Sequence, residues 1–171
     1  SQGSIALNDS VVATGGDIQF TSSSGAITMA AGTSLTVAGG NIEVRADGDI
    51  ELGTLTCSGG AIDRVVLQSL DGRIVDANGS GTIAFTADEV VMRGLGVGSG
   101  ESGTALEVDA DRVIIDVPGG IVFQDVSPDG KVHFMVMKDG VLYEQLVNQG
   151  DVVRETVVND TTGDDFVAQV A

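Results

Sequence analysis

A chain of 171 residues and 17.3 kDa can bury the core of one domain, but 42% apolar and 4% aromatic residues, with no Trp, leave that core to Val, Ile, Leu and Ala. Its 25 acidic residues against 8 basic ones give a formal net charge of −17, which sets it against non-specific binding to nucleic acid or an anionic membrane. One Cys excludes an internal disulfide framework, 25 Gly with 2 Pro fit neither collagen nor a Pro-rich linker, and no apolar run approaches the about 18 residues of a membrane helix.

From the first residues the chain is patterned: Ser1-Gln2-Gly3 opens directly into a repeat, with no signal peptide expected. The repeated unit is Gly-x-Ile-x-apolar. It recurs at Gly3–Leu7, Gly16–Phe20, Gly25–Met29, Gly40–Val44, Gly48–Leu52, Gly72–Asp76 and Gly81–Phe85, and in a shortened form at Gly120–Phe123. Each copy reads as a short strand of alternating apolar and polar residues, bounded by Gly, Asn, Asp and Ser. Strands so short bury nothing alone and must stack.

The spacing says how they stack. Ile18, Ile42, Val66, Val90 and Ile114 follow one another at 24 residues; Ile27, Ile50, Ile74, Val97 and Ile121 follow at 23, 24, 23 and 24. A looser third series runs through Leu35, the neighbourhood of Cys57, Ile83 and Leu106. Three interleaved series with one period predict an all-β parallel β-helix, a β-solenoid with three short strands per coil of about 23–24 residues. Roughly five coils about 4.8 Å apart make a rod of about 25 Å. A β-sandwich would show antiparallel hairpin turns rather than series held over five periods, and an α/β fold would need amphipathic helices. Ile42, Ile50, Ile74 and Ile83 are expected inside, and the Gly98–Gly103 segment outside as a loop.

The pattern changes near residue 126. Lys131–Val147 reads as two longer strands around Lys138-Asp139-Gly140, a hairpin signal, with a third strand over Asp151–Val158. The chain therefore divides into a parallel β-helix over 1–126 and an antiparallel hairpin cap or transition segment over 127–171. Phe134, Met135, Met137 and Tyr143, the densest group of large side chains, are the interaction candidates for covering the last coil or engaging a neighbouring copy.

The segments Ala30–Leu55, Val90–Gly98, Gly103–Val108 and Gly119–Phe123 resemble the repeats of filamentous-haemagglutinin-like large exoproteins, the β-helical adhesins of Gram-negative bacteria. The likeness lies in short strands opened by Gly-x-Ile or Gly-Gly-x-Ile, and covers about residues 3–126. It implies a right-handed parallel β-helix belonging to a very large secreted or surface-attached protein.

Several residues invite chemistry. Asp47/Asp49, Asp109/Asp111 and Asp164/Asp165 are the densest carboxylate spots, and calcium takes about six to eight oxygen ligands. The calcium-roll repeat is broken, however, by Ile62 where its third Gly should stand, and Asp beside Gly is a turn residue. No cofactor is expected, with calcium as the alternative. Arg64 and Arg112 lie 48 residues apart, two before Val66 and Ile114, in the place that Gly16 and Gly40 hold earlier; they read as corner arginines on an acidic surface. His133 falls on an outward strand position without a nucleophile elbow to support a triad, and Cys57 reads as a small buried hydrophobe. Gly94–Gly100 lacks the Lys-Ser/Thr of a phosphate loop.

The sequence thus points to a non-catalytic structural or adhesive rod, secreted or at the cell surface. Its expected partners are neighbouring copies, adjoining modules of a larger exoprotein, and host or matrix glycans, with neither nucleic acid nor membrane insertion. The alternatives are a self-assembling β-solenoid filament subunit and a polysaccharide-binding or polysaccharide-cleaving β-helix.

Overall fold

The computed structural model describes residues 2–79, 82–98 and 106–117 in full, and the backbone pairing of five strands beyond them. The first coil comprises β1 (Ile5–Leu7), β2 (Val11–Ala13) and β3 (Ile18–Thr21); the second, β4 (Ile27–Met29), β5 (Ser34–Ala38) and β6 (Ile42–Ala46); the third, β7 (Ile50–Leu52), β8 (Thr54–Ser58) and β9 (Arg64–Ser69). Then come β10 (Arg73–Asp76) with a long β11 (Ile83–Arg93), and β12 (Gly96–Val97) with a long β13 (Leu106–Asp116). The last strands are β14 (Ile121–Asp125), β15 (Lys131–Lys138), β16 (Val141–Asn148), β17 (Val152–Glu155) and β18 (Gln169–Val170).

From β1 to β13 each strand pairs in parallel with its counterpart one coil later, which makes the fold an all-β parallel solenoid of about four turns. The series through Ile27, Ile50, Ile74, Val97 and Ile121 is the first column as expected, and it begins one coil earlier at Ile5. Its members stack because each coil advances one strand spacing, so equivalent side chains pile up inside the tube. Ile27, Ile50, Ile74 and Val97 are fully buried there.

The series through Ile18 is corrected by one residue. Ile42 pairs with Val65, Val65 with Val90, and Val90 with Val113. Val66 and Ile114 therefore point outward and are half-buried, while Val65 and Val113 enter the core. Side chains alternate with period two, so a one-residue slip exchanges the faces. The cause is local: each Val or Ile in Val65-Val66 and Val113-Ile114-Ile115 is apolar enough to fill either place.

The third series is looser because one coil redistributes its turns. Leu35 pairs with Leu55 and Val37 with Cys57, and Leu55 then pairs with Phe85. In the third coil a single residue, Gly53, separates β7 from β8, whereas residues 59–63 intervene before β9. The period survives in the first column while the second drifts within it. Ile83, expected inside, is 40% exposed; a register shift between Ile83 and Phe85 turns Ala84 and Phe85 inward instead.

Corners also differ along the rod. Between the second and third strands the first three coils carry Gly-Gly, with Gly16, Gly39 and Gly59 at φ of 78°, 81° and 83°. The later coils carry Ala87-Asp88 and Ala110-Asp111 there, and the chain crosses the corner without leaving strand pairing, giving the 11-residue β11 and β13. Gly40 is required by space: a Cβ on it would lie 2.1 Å from the Gly16 carbonyl oxygen.

The pattern changes at β15, which adds to β13 in parallel but pairs β16 antiparallel around residues 139–140; β17 likewise pairs β14 antiparallel. Residues 99–105 lie outside the described residues, and with them the loop expected over Gly98–Gly103. Among the described residues no helix is long and apolar enough to cross a membrane.

Candidate functional site

The third strand column, β3, β6, β9, the second half of β11 and the second half of β13, forms one lateral face. Its outward positions make three rows. The first runs Asp17, Asn41, Arg64, Glu89, Arg112, each just before the inward residue that opens its strand; the second runs Gln19, Glu43, Val66, Val91, Ile114; the third runs Thr21, Arg45, Gln68, Arg93, Asp116. Four of the five arginines in residues 2–117 stand on this face of a strongly acidic chain.

Arg64 and Arg112, linked in the sequence only by their spacing, meet at one carboxylate. Arg64 Nε lies 2.6 Å from Glu89 Oε1, and Arg112 Nη1 lies 3.1 Å from Glu89 Oε2. The Glu89 side chain is 9% exposed and each guanidinium about half exposed, so the arginines roof the carboxylate. The corner place of Gly16 and Gly40 belongs to Asp63 rather than Arg64, again by the one-residue shift. Asp63 is buried there, accepting the Gly60 N–H at 2.8 Å and donating its own N–H to Asp88 Oδ2 at 2.9 Å. Glu89 went unmarked in the sequence, yet a signal was present: it falls midway between the two arginines in the repeat.

Toward the N-terminal coils the face opens into a groove of about 260 Å³ lined by Asp17, Gln19, Asn41, Ile42, Glu43, Arg64 and Val66. Its polar groups are tied to one another. The Asn41 backbone and side-chain amides donate to Asp17 Oδ1 at 2.8 and 3.2 Å, Arg45 Nε donates to Glu43 Oε1 at 2.6 Å, and Gln19 donates to the other Glu43 oxygen. Such a groove offers hydrogen-bonding edges to a polyhydroxylated ligand, with no aromatic platform among its lining residues. In the middle row Val66, Val91 and Ile114 form an apolar stripe. Val91 is 8% exposed, yet lies outside the core cluster.

The other expected residues sit elsewhere. Cys57 is 3% exposed within the core, donates to the Arg64 carbonyl at 3.4 Å, and burial pushes its thiol up to about 11. Asp49 Oδ1 accepts the Arg73 N–H at 2.8 Å and Asp47 makes backbone bonds on both sides, the turn roles open to Asp beside Gly. Asp109 and Asp111 fall on β13, and among the described residues no group of three or more His, Cys, Asp or Glu is placed to hold a metal ion. Asp164 and Asp165 lie outside the described residues. His133 is paired with Arg112 by backbone register, and Phe134, Met135, Met137 and Tyr143 fall on the β15–β16 pair; their side chains lie outside the described residues.

One acidic contact was not foreseen. Asp76, at the end of β10, is half-buried with Oδ2 lacking a hydrogen-bond partner, and burial together with the Glu107 charge holds its carboxyl above the ordinary 3.8, opposed by the Asn78 amide. Asn78 in turn ties three coils together: its N–H donates to Asp76 Oδ1 at 2.8 Å, its side-chain oxygen accepts the Gly32 N–H at 2.8 Å, and its amide reaches Thr54 Oγ1 at 3.5 Å. Compared with known proteins, the chain matches no family model, no curated protein and no solved structure.

Proposed function

We propose that the chain is a non-catalytic structural segment, a rigid rod belonging to a secreted or cell-surface exoprotein of adhesive or architectural type, as its repeats resemble. The observation that carries this reading is how the outward polar side chains are used. They bond one coil to the next, as Asp17 with Asn41 and Glu89 with Arg64 and Arg112, rather than being aimed together at a point where a substrate atom could sit. Catalysis needs a nucleophile or base with an orienting partner aimed at one reacting atom. A ladder instead holds register along a tube.

The test is incubation of the full chain with a panel of neutral and acidic polysaccharides, reading both product release and retention. The structural reading expects no new sugar ends; their appearance would overturn it. A second reading, a polysaccharide-binding β-helix, is favoured by the groove between Asp17 and Val66. It expects retention without cleavage, abolished by Asn41→Ala with Arg64→Ala.

A further inference from the structure

The first coil differs from those after it on one side only. Its inward side chains Ile5, Leu7, Val11, Ala13 and Phe20 are half-buried, whereas their partners one coil later, Ile27, Met29, Leu35, Val37 and Val44, are at most 3% exposed. Hydrogen bonding shows which edge is open. The Ile5 and Ile18 N–H groups donate forward to Ala26 and Asn41 of the second coil, and the Leu7 carbonyl accepts from Ala30. Outward residues bond backward, as the Ser34 N–H does to Ser10 Oγ at 3.0 Å. By that alternation the N–H and C=O groups of Ala6, Val12 and Gln19 point away from the second coil. Among the described residues β1, β2 and β3 pair only with β4, β5 and β6.

Solenoids and sheets protect such an edge with a polar end coil, charge, Pro or a bulge. Here no residue of β1, β2 or β3 is charged or Pro, their register with the second coil is unbroken, and the apolar positions are those of an internal coil. Val12 is 69% exposed, the most of any large apolar side chain among the described residues, while Thr36, with a coil on either side, is half-buried. We propose that this N-terminal face is the docking surface for one further parallel coil, supplied by an adjoining module of the larger protein.

The coil-on-coil contacts already present specify the occupant. The N–H groups of Ala26, Ser34, Asn41 and Arg73 each donate to the side chain one coil earlier, Ser4, Ser10, Asp17 and Asp49, at 3.2, 3.0, 2.8 and 2.8 Å. The docking coil therefore carries Ser or Asp over Ser4, Ser10 and Asp17, and aliphatic side chains over the columns of Ile5, Val11 and Ile18. Charge favours this end, since residues 1–46 hold only Asp9, Asp17 and Glu43 against Arg45 in a chain of net −17. A whole coil end also meets the about 20 residues a side of a stable interface. The inference rests on the reading of the chain as a segment of a larger exoprotein and names the surface where the next module joins. The polysaccharide panel tests for catalysis and the experiment below tests the edge, so either can fail alone.

The test is the full chain extended at its N-terminus by a copy of its own first coil, residues 3–24 placed before Gly3. Amide hydrogen exchange is read at Ala6, Val12 and Gln19 of the original coil. Relative to the unextended chain, exchange there should slow about a hundredfold or more, and the melting temperature should rise. Replacing Ile5, Val11 and Ile18 by Ser in the added copy alone should abolish both effects. Val12→Pro in the original coil should barely change the unextended chain, because an edge tolerates Pro, yet cancel most of the gain in the extended one. An extended chain in which these amides exchange as fast as before, or which loses stability, overturns the proposal. So does an unextended chain whose same amides are already slow: slowing that grows with concentration assigns the edge to a second copy, and slowing independent of concentration to the chain itself.

Discussion

Glu89 Oε1 lies 2.6 Å from Nε of Arg64, one coil earlier in the stack, while its other oxygen takes Arg112 from the coil after. Each guanidinium is about half in water, so either arginine alone contributes modestly, about 0.5–1 kcal/mol. Removing both is a different matter, because the Glu89 carboxylate is 9% exposed and would keep its charge with neither cation beside it. Arg64→Ala and Arg112→Ala should each lower stability by that small amount, and the double variant by about 3 kcal/mol, more than the sum. Urea denaturation of the four proteins checks it; strict additivity would mean that the two arginines act on Glu89 independently.

Register can be tested at one dipeptide. Val65 is fully buried and paired with Ile42 and Val90, whereas Val66 faces the groove. Val65→Ala should cost about 2 kcal/mol and Val66→Ala under about 0.5 kcal/mol. Thermal melts giving the opposite ranking would restore the even 24-residue spacing that the sequence suggests.

The Gly-Gly corners predict a steric threshold. Gly40→Ala brings a Cβ to 2.1 Å from the Gly16 carbonyl oxygen, part of the preceding coil's backbone, whereas Gly3→Ala meets nothing within 4 Å. Backbone cannot rotate aside as a side chain can. Gly40→Ala should therefore cost more than about 2 kcal/mol and Gly3→Ala almost nothing, read as midpoints of chemical denaturation.

Asp76 sets a pH dependence of definite sign. Its carboxyl is held above 3.8 in the folded chain by burial and by the Glu107 charge, so the folded state binds the proton more tightly than the unfolded state does. The stabilisation from protonation is complete below the ordinary carboxylate value and is lost as pH rises through the folded one. At neutral pH the ionised group opposes folding. Asp76→Asn keeps an oxygen for the Asn78 N–H, removes the charge, and should raise the melting temperature at pH 7. The gain should shrink as pH falls toward about 4. A gain independent of pH would assign the effect to packing instead.

The amino-acid sequence by itself determined the architecture: Ile and Val recurring at 23–24 residues between Gly, Asp and Asn turns admit a stacked parallel tube, because strands this short bury their apolar faces no other way. It also determined that Ile27, Ile50 and Ile74 share one column, since they recur at 23 and 24 residues and the charged Asp49 and Glu51 on either side of Ile50 fix its face. Where two or three apolar residues adjoin, as in Val65-Val66 and Val113-Ile114-Ile115, alternation carries no information about which one enters, and contact between coils decided it. The same holds for Ile83, turned out by a register shift that Phe85 fills from within. Glu89 shows the other limit. Its neighbours Arg64 and Arg112 are legible as repeat-related cations, but that one carboxylate lies between both is a property of three coils in register, which exists only once the chain has stacked.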